Sequence, residues 1–236
     1  MNNDLNDPEY KNEWGKTALM LNAFRGDIKG FKRLIDAGAN IEAKDLAGNT
    51  ALRLTAYYGL TKFVEILVNA KADIETRGED GQTPLICSSE NNDISSFTCL
   101  INAGANIEAK DEDGYTALML AARSGNTGCL KLLIDAGANL EVRNEYGDTA
   151  LNIAASRGRD DCLKLLIAAG AEVDCPNNFS NTALMDTAAF GDAESLILLI
   201  DGGANTDAQN KYGDSALMIA AENGHSGCVK ILEDAR

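Results

Sequence analysis

Two short amphipathic runs recur every 33 residues along almost the whole chain. In "ALMLAARS" (117–124), Leu118, Ala121 and Ala122 fall at i, i+3 and i+4, on one side of a helix. Gly125 breaks that helix, and "NTGCLKLLIDA" (126–136) makes a second one with Leu130, Leu133 and Ile134 on one face. Gly137 suits the left-handed position that ends a helix, and "ANLEVRNEYG" (138–147) reads as an extended finger with turn residues at its tip. The period is kept without insertions. Gly15, Gly48, Gly81, Gly114, Gly147 and Gly213 mark it, with Ser180 in the one vacant slot. Two positions on stand Thr17, Thr50, Thr83, Thr116, Thr149, Thr182 and Ser215, residues suited to cap a helix N-terminus. Two further on, every copy has Leu, from Leu19 to Leu217. Such self-similarity signals a repeat array rather than a domain divided by core size.

The start "DEDGYTAL" (111–118) or "GEDGQTPL" (78–85), the alanine pair, the mid-repeat glycine and the ending "LLIDAGAN" (132–139) resemble the ankyrin repeat. The resemblance implies an all-α fold: a solenoid of seven 33-residue helix-turn-helix units with projecting β-hairpin fingers. It covers residues 10–236 as a single domain, with repeats starting near 12, 45, 78, 111, 144, 177 and 210, after a flexible lead-in at 1–9. Members of the family typically bind proteins on the concave face. The chain departs from the family pattern in two ways. Only Pro84 keeps the usual proline, and the usual histidine is replaced throughout by Met20, Arg53, Ile86, Met119, Asn152, Met185 and Met218. An imidazole hydrogen-bond ladder is therefore missing.

Composition narrows the function. The 236 residues are 45% hydrophobic and 24% charged, with a net charge of −15. That charge opposes unassisted binding to nucleic acid or anionic membranes, which requires Lys and Arg, and favours a basic partner. The opening "MNNDLNDPEYKNEW" is no signal peptide, and no apolar run spans a bilayer. The expectation is a cytoplasmic monomer. Six cysteines form no CxxC pair, so neither metal nor disulfide is expected. Cys129, Cys162 and Cys228 share one repeat position and read as small core residues. The single histidine, His225, follows the glycine break of the last repeat and reads as structural, and no nucleophile–base pair or phosphate loop is present. No catalytic residue or cofactor is expected. Glu233 replaces the aliphatic residue of earlier copies, the polar outer face that a terminal repeat needs.

Four columns carry candidate function. Glu42, Glu75, Glu108, Glu141, Asp174 and Asp207 form an acidic row, and Lys11, Lys44, Arg77, Lys110 and Arg143 a basic row two residues on. In an extended segment the two rows point the same way and are expected to pair along the stack. The carboxylates also stand where many ankyrin proteins have an Asn that can be hydroxylated, so the chain does not resemble a substrate for that modification. The column before the finger glycine reads Trp14, Ala47, Asp80, Asp113, Tyr146, Phe179, Tyr212. By the family resemblance it faces the binding side. Tyr146, Phe179 and Tyr212, with Tyr115 nearby and Arg123, Arg157 and Phe190 at the ends of first helices, make a partner-binding surface with Asp148 in its acidic middle. The bland alternative is that the aromatic tips pack on one another. Asp186 interrupts the apolar column Leu21, Leu54, Cys87, Leu120, Ile153, Asp186, Ile219. It lies about 200° around the helix from Leu184 and is expected to be partly exposed on the groove side.

The function expected is non-catalytic recognition of a protein or peptide, one with basic residues, through repeats 4–7. The alternatives are the targeting arm of a larger catalytic protein and a structural spacer. The weakest joint falls between repeats 2 and 3, where Lys71, Gly78, Ser88, Ser89 and Asn92 depart from the repeat pattern. Amide exchange should be faster across 71–97 than across 114–170; hydrogen exchange read by mass spectrometry checks this.

Overall fold

Each first helix starts at the hydroxyl that the sequence places there. Thr17, Thr50, Thr83, Thr116, Thr149 and Ser215 have extended backbones. Each accepts the N–H three residues on at 3.3–3.4 Å, satisfying one of the orphan donors of a helix N-terminus. The protein is described by a computed structural model over residues 4–235. It divides into two compact units, one up to Glu112 and one from Asp113.

The first unit holds three helix pairs: α1 (Ala18–Phe24) with α2 (Ile28–Asp36), α3 (Ala51–Tyr57) with α4 (Thr61–Asn69), and α5 (Pro84–Glu90) with α6 (Ile94–Asn102). Before them, Asp4–Asn6 form a 3-10 turn, and Asn22 donates to the Leu5 carbonyl at 2.9 Å. Met1–Asn3 of the lead-in lie outside the described residues. The leucines of the repeat pattern are buried, and Phe31 meets Phe63 edge to face between α2 and α4 at 4.9 Å.

The second unit holds four pairs: α7 (Ala117–Ser124) with α8 (Thr127–Asp135), α9 (Ala150–Ser156) with α10 (Asp160–Ala168), α11 (Ala183–Phe190) with α12 (Ala193–Asp201), and α13 (Ala216–Glu222) with α14 (Ser226–Asp234). Small residues let these helices approach: Ala121, Ala122, Ala154, Ala155 and Ala188 are buried, as are the free thiols Cys129, Cys162 and Cys228. No helix among the described residues is long and apolar enough to cross a membrane.

Neighbouring pairs are tied together through backbone that would otherwise be orphaned. Asn91 donates to the carbonyls of Ala56 and Tyr57 at the end of α3, at 2.7 and 2.8 Å. Arg159 Nε donates to Arg123 O at the end of α7 at 3.1 Å. His225 Nε2 lies 3.0 Å from Ala189 O near the end of α11, and its ring lies so close to Gly191 that a Cβ there would come within 2.5 Å. The single histidine is therefore a cap for the preceding unit. The charge rows work in the same way. Glu42, Glu75, Glu141 and Asp174 each accept a backbone N–H 31 residues on, at 2.7–2.9 Å. Lys44 and Arg77 donate to the carbonyls of Arg77 and Lys110. These side chains serve the next repeat's backbone, whereas the spacing suggested pairing between the rows. The fingers are tight turns, with isolated bridges such as Lys11 with Thr17 and Gln209 with Ser215.

The irregular joint between the second and third repeats has a physical explanation. Lys71 and Asn92 take the left-handed backbone, φ 66° and 58°, at a cost on the order of 1 kcal/mol each. Ser88 and Ser89, in place of the alanine pair, are buried but satisfied by donating to the carbonyls of Leu85 and Ile86 at 2.9 and 2.6 Å. Gly78 is no defect. A Cβ there would sit 2.5 Å from the Arg53 guanidinium carbon, and Arg53 is buried, donating to Gln82 O at 3.1 Å and forming an ion pair with Asp80. The missing side chain makes room for a buried cation in the column where the family keeps its histidine. Gly78→Ala should therefore lower stability by roughly 1 kcal/mol, and Arg53→Met should cancel most of that loss. A double-mutant cycle by urea unfolding measures the coupling.

Candidate functional site

The aromatic residues of the second unit are set by the turns that carry them. Asn144 Oδ1 accepts the N–H groups of Tyr146 and Asp148 at 3.0 and 2.9 Å. Asn177 does the same for Phe179 and Asn181 at 2.9 and 3.1 Å, and Asn210 for Tyr212 and Asp214 at 2.9 and 3.0 Å. An Asx side chain thus replaces a second strand in holding each tip. The turn is completed by left-handed Gly147 (φ 80°) and Gly213 (φ 87°), and by Ser180 (φ 61°), which bears the strain of a side chain there. At Gly147 a Cβ would also come within 2.4 Å of Asn178 Oδ1. Adjacent tips are joined by single backbone bonds, Asn178 N to Tyr146 O at 3.0 Å and Lys211 N to Phe179 O at 3.3 Å.

The result is a fixed row of rings facing solvent. Tyr146, Phe179 and Tyr212 are 54%, 47% and 70% exposed. No ring contact joins them among the described residues, so the tips do not pack on one another. Lys211 instead places its ammonium 4.2 Å from the centre of Phe179 and 5.1 Å from Tyr212, a cation–π bridge between successive tips. At the other end Arg123 lies 5.3 Å from the centre of Tyr115.

Two half-buried carboxylates form the middle of this surface. Burial, with the charge of Asp148 beside it, pushes Asp186 up to about 7, against which the Asn181 amide bond (3.4 Å) works weakly. Burial likewise raises Asp148, opposed by a hydrogen bond from Asn177 and by the charge of Arg143. Tyr115 is raised by burial, and Arg123, Asp148 and Tyr146 all bear on it electrostatically. Asn210 reaches across to donate to Asn181 Oδ1 at 3.1 Å, linking the next turn to the same centre. The helix carrying Asp186 is also the one whose cap fails. Thr182 accepts no N–H, and its hydroxyl is buried without a partner.

Tyr115, Arg123, Tyr146, Asp148 and Asp186 are thus brought together, with Phe179 and Tyr212 continuing the row. The side chains of Arg157 and Phe190 are exposed and make no hydrogen bond, ion pair or ring contact among the described residues. Lys211 and the asparagines 144, 177, 181 and 210 were not picked out in the sequence. The recurring Asn two residues before each aromatic is the signal that could have found them. The described residues bring Glu141, Glu172 and Cys175 within 4.8 Å of one another as possible metal ligands. One Glu141 oxygen accepts the Glu172 N–H while the other, Oε2, is buried without a hydrogen-bond partner, and burial pushes the Cys175 thiol upward, away from the thiolate a metal needs.

The sequence model of the family described as "Ankyrin repeats (3 copies)" matches residues 2–78, 19–111, 85–177 and 151–235. A search of curated proteins finds no match. Among solved structures, the ankyrin repeat domain of human ASB11 is similar at 26% identity and a TM-score of 0.84, over 94% of this chain and 98% of that one. The ankyrin repeat domain of Bcl-3, a member of the IkappaB protein family, superposes with a TM-score of 0.82 at 24% identity, over 94% of this chain and 100% of that one. With an all-helical fold of capped helix pairs and family matches spanning nearly its whole length, the chain belongs to the ankyrin repeat family.

Proposed function

We propose that residues 113–236 recognise a protein or peptide carrying basic residues, through the row of finger tips and the acidic centre beside it. Ankyrin repeat domains are generally protein-interaction modules. The observation that carries the finer reading is the row of exposed rings, held on turns by their own asparagines yet without ring contacts to one another. Exposed aromatic rows are costly unless a partner covers them, and Tyr is a typical interface anchor. The reading is non-catalytic, of a cytoplasmic monomer: the single histidine is committed to Ala189 and Gly191, and the acids follow the repeat.

Asp186 supports a basic partner because its present surroundings do not suit its charge. With its folded pKa raised, the native state holds a proton that the unfolded chain has already released between about pH 4 and pH 7. The stability that comes with the protonated form is fully present below the unfolded pKa near 3.8 and is lost as pH rises through about 7. Above that, an ionised carboxylate sits half buried beside Asp148. A partner's Lys or Arg would relieve it.

Asp186→Leu should raise the unfolding free energy at pH 8 by on the order of 2 kcal/mol, with the gain shrinking towards pH 5, as read by urea titrations at each pH. The same substitution should weaken a basic partner. Changing Tyr146, Phe179 and Tyr212 together to Ala should leave the unfolding midpoint nearly unchanged and reduce partner capture at least tenfold. Affinity purification with quantitative mass spectrometry, wild type against the triple variant, measures this. Equal capture would remove the row from the interface.

A further inference from the structure

A second exposed apolar surface lies in the first unit, away from every residue assigned above. Trp14 is 60% exposed and Leu46 is 72% exposed. Both stand on finger turns built like those of the second unit. The Trp14 N–H is held by Asn12 Oδ1 at 3.1 Å, and the Leu46 N–H donates to the Trp14 carbonyl at 3.0 Å. Between these tips and the end of α3 lies a hollow of about 650 Å³, walled by Trp14, Leu46, Ala47, Leu54 and Tyr58. That volume is in the range of formed ligand sites. Its apolar edge continues outward as an aromatic chain, Phe24 against Tyr58 at 5.2 Å and Tyr58 against Tyr57 at 5.0 Å, both edge to face. On its other side Trp14 also walls a second hollow, of about 520 Å³, with Tyr10, Glu13 and Arg25. Repeat stacking accounts for Leu54, which is buried in an apolar column, but not for Trp14, Leu46 and Tyr58, which are exposed and lie outside those columns.

The charges around the hollow indicate what would cover it. Lys16 is occupied, its ammonium 4.8 Å from the centre of the Phe24 ring. Asp45 is buried and spends its carboxylate on Ala47 and Asn49. Glu79 is exposed on the rim of this hollow and carries its one free charge among the described residues; in the second hollow exposed Glu13 is balanced by exposed Lys11 and Arg25. A second copy of the chain would bring another net charge of −15 against the first, so a cationic partner is favoured.

We propose that this hollow is a second, separate docking site, for a peptide segment that inserts an aromatic or aliphatic side chain between Trp14 and Leu46 and places a neighbouring Lys or Arg against Glu79. Trp14 is the only tryptophan in the chain, so its fluorescence reports binding at this tip, and the Leu46 and Glu79 variants below assign the response to the larger hollow. The probe is a tryptophan-free synthetic peptide, Gly-Lys-Leu-Phe-Lys-Gly with blocked ends, titrated into the full chain. The expected result is a saturable blue shift of the emission and at least a twofold fall in acrylamide quenching. The same peptide with Glu for both lysines should give neither. Leu46→Ser and Glu79→Lys, both surface changes with unfolding midpoints checked, should each raise the midpoint concentration at least tenfold. The triple alanine variant at Tyr146, Phe179 and Tyr212 should respond like the wild type, which keeps this site distinct from the one proposed above. An unchanged Trp14 signal up to millimolar peptide, an equal response to the Glu peptide, or an equal response in both single variants would overturn the proposal. So would a blue shift that follows protein concentration without peptide, with dimers in sedimentation, since that assigns the surface to a second copy.

Discussion

A helix of seven to nine residues does not hold together by itself in water, because nucleation costs more than so few hydrogen bonds return. Every α-helix among the described residues has that length. Each therefore depends on the pair stacked beside it, and the sequence is spent on making that stacking possible. Threonine hydroxyls close the helix starts, while side chains from the following unit close the ends, as Asn91 does for α3 and Arg159 for α7. Even the charged rows on the fingers mostly serve backbone groups one repeat away. Surface ion pairs are weak and screened, but a hydrogen bond to a neighbour's amide fixes position as well as adding a little stability.

This dependence explains how much of the fold was legible in the sequence. The 33-residue period exposes helix starts, glycine breaks and buried leucines because each is a local requirement repeated in every unit. What breaks the period was harder to read. Gly78 looked like decay of the pattern, although its role is to leave space for Arg53, a residue in a different column of the preceding repeat. Lys211 carries no signal of its own in the repeat pattern, and only the stacking of tips sets it between Phe179 and Tyr212. Trp14 stood out in its column, but its partners Leu46 and Tyr58 belong to other columns. Reading column by column separates residues that the fold brings together.

Irregularities also gather in one place. The repeat that opens at Asn177 has a left-handed Ser180, an uncapped Thr182 with a buried unpaired hydroxyl, and the half-buried Asp186. None of these helps the fold, and all three lie in or beside the aromatic row. Strain of this kind persists where surrounding structure over-determines it. Here, the flanking turns at Asn144 and Asn210 are complete and hold the weak unit on both sides.

The single backbone bond between neighbouring finger tips makes the row a ruler. Stacked units advance by roughly 8–10 Å, the spacing of packed helices. An extended chain advances roughly 3.3–3.6 Å per residue. A strand lying along Tyr146, Phe179 and Tyr212 thus meets successive rings with about every third residue. Because the tips are tied through main chain, side-chain substitutions leave the graduation untouched, so a partner on the proposed surface would be selected by the spacing of its anchors as well as by their chemistry.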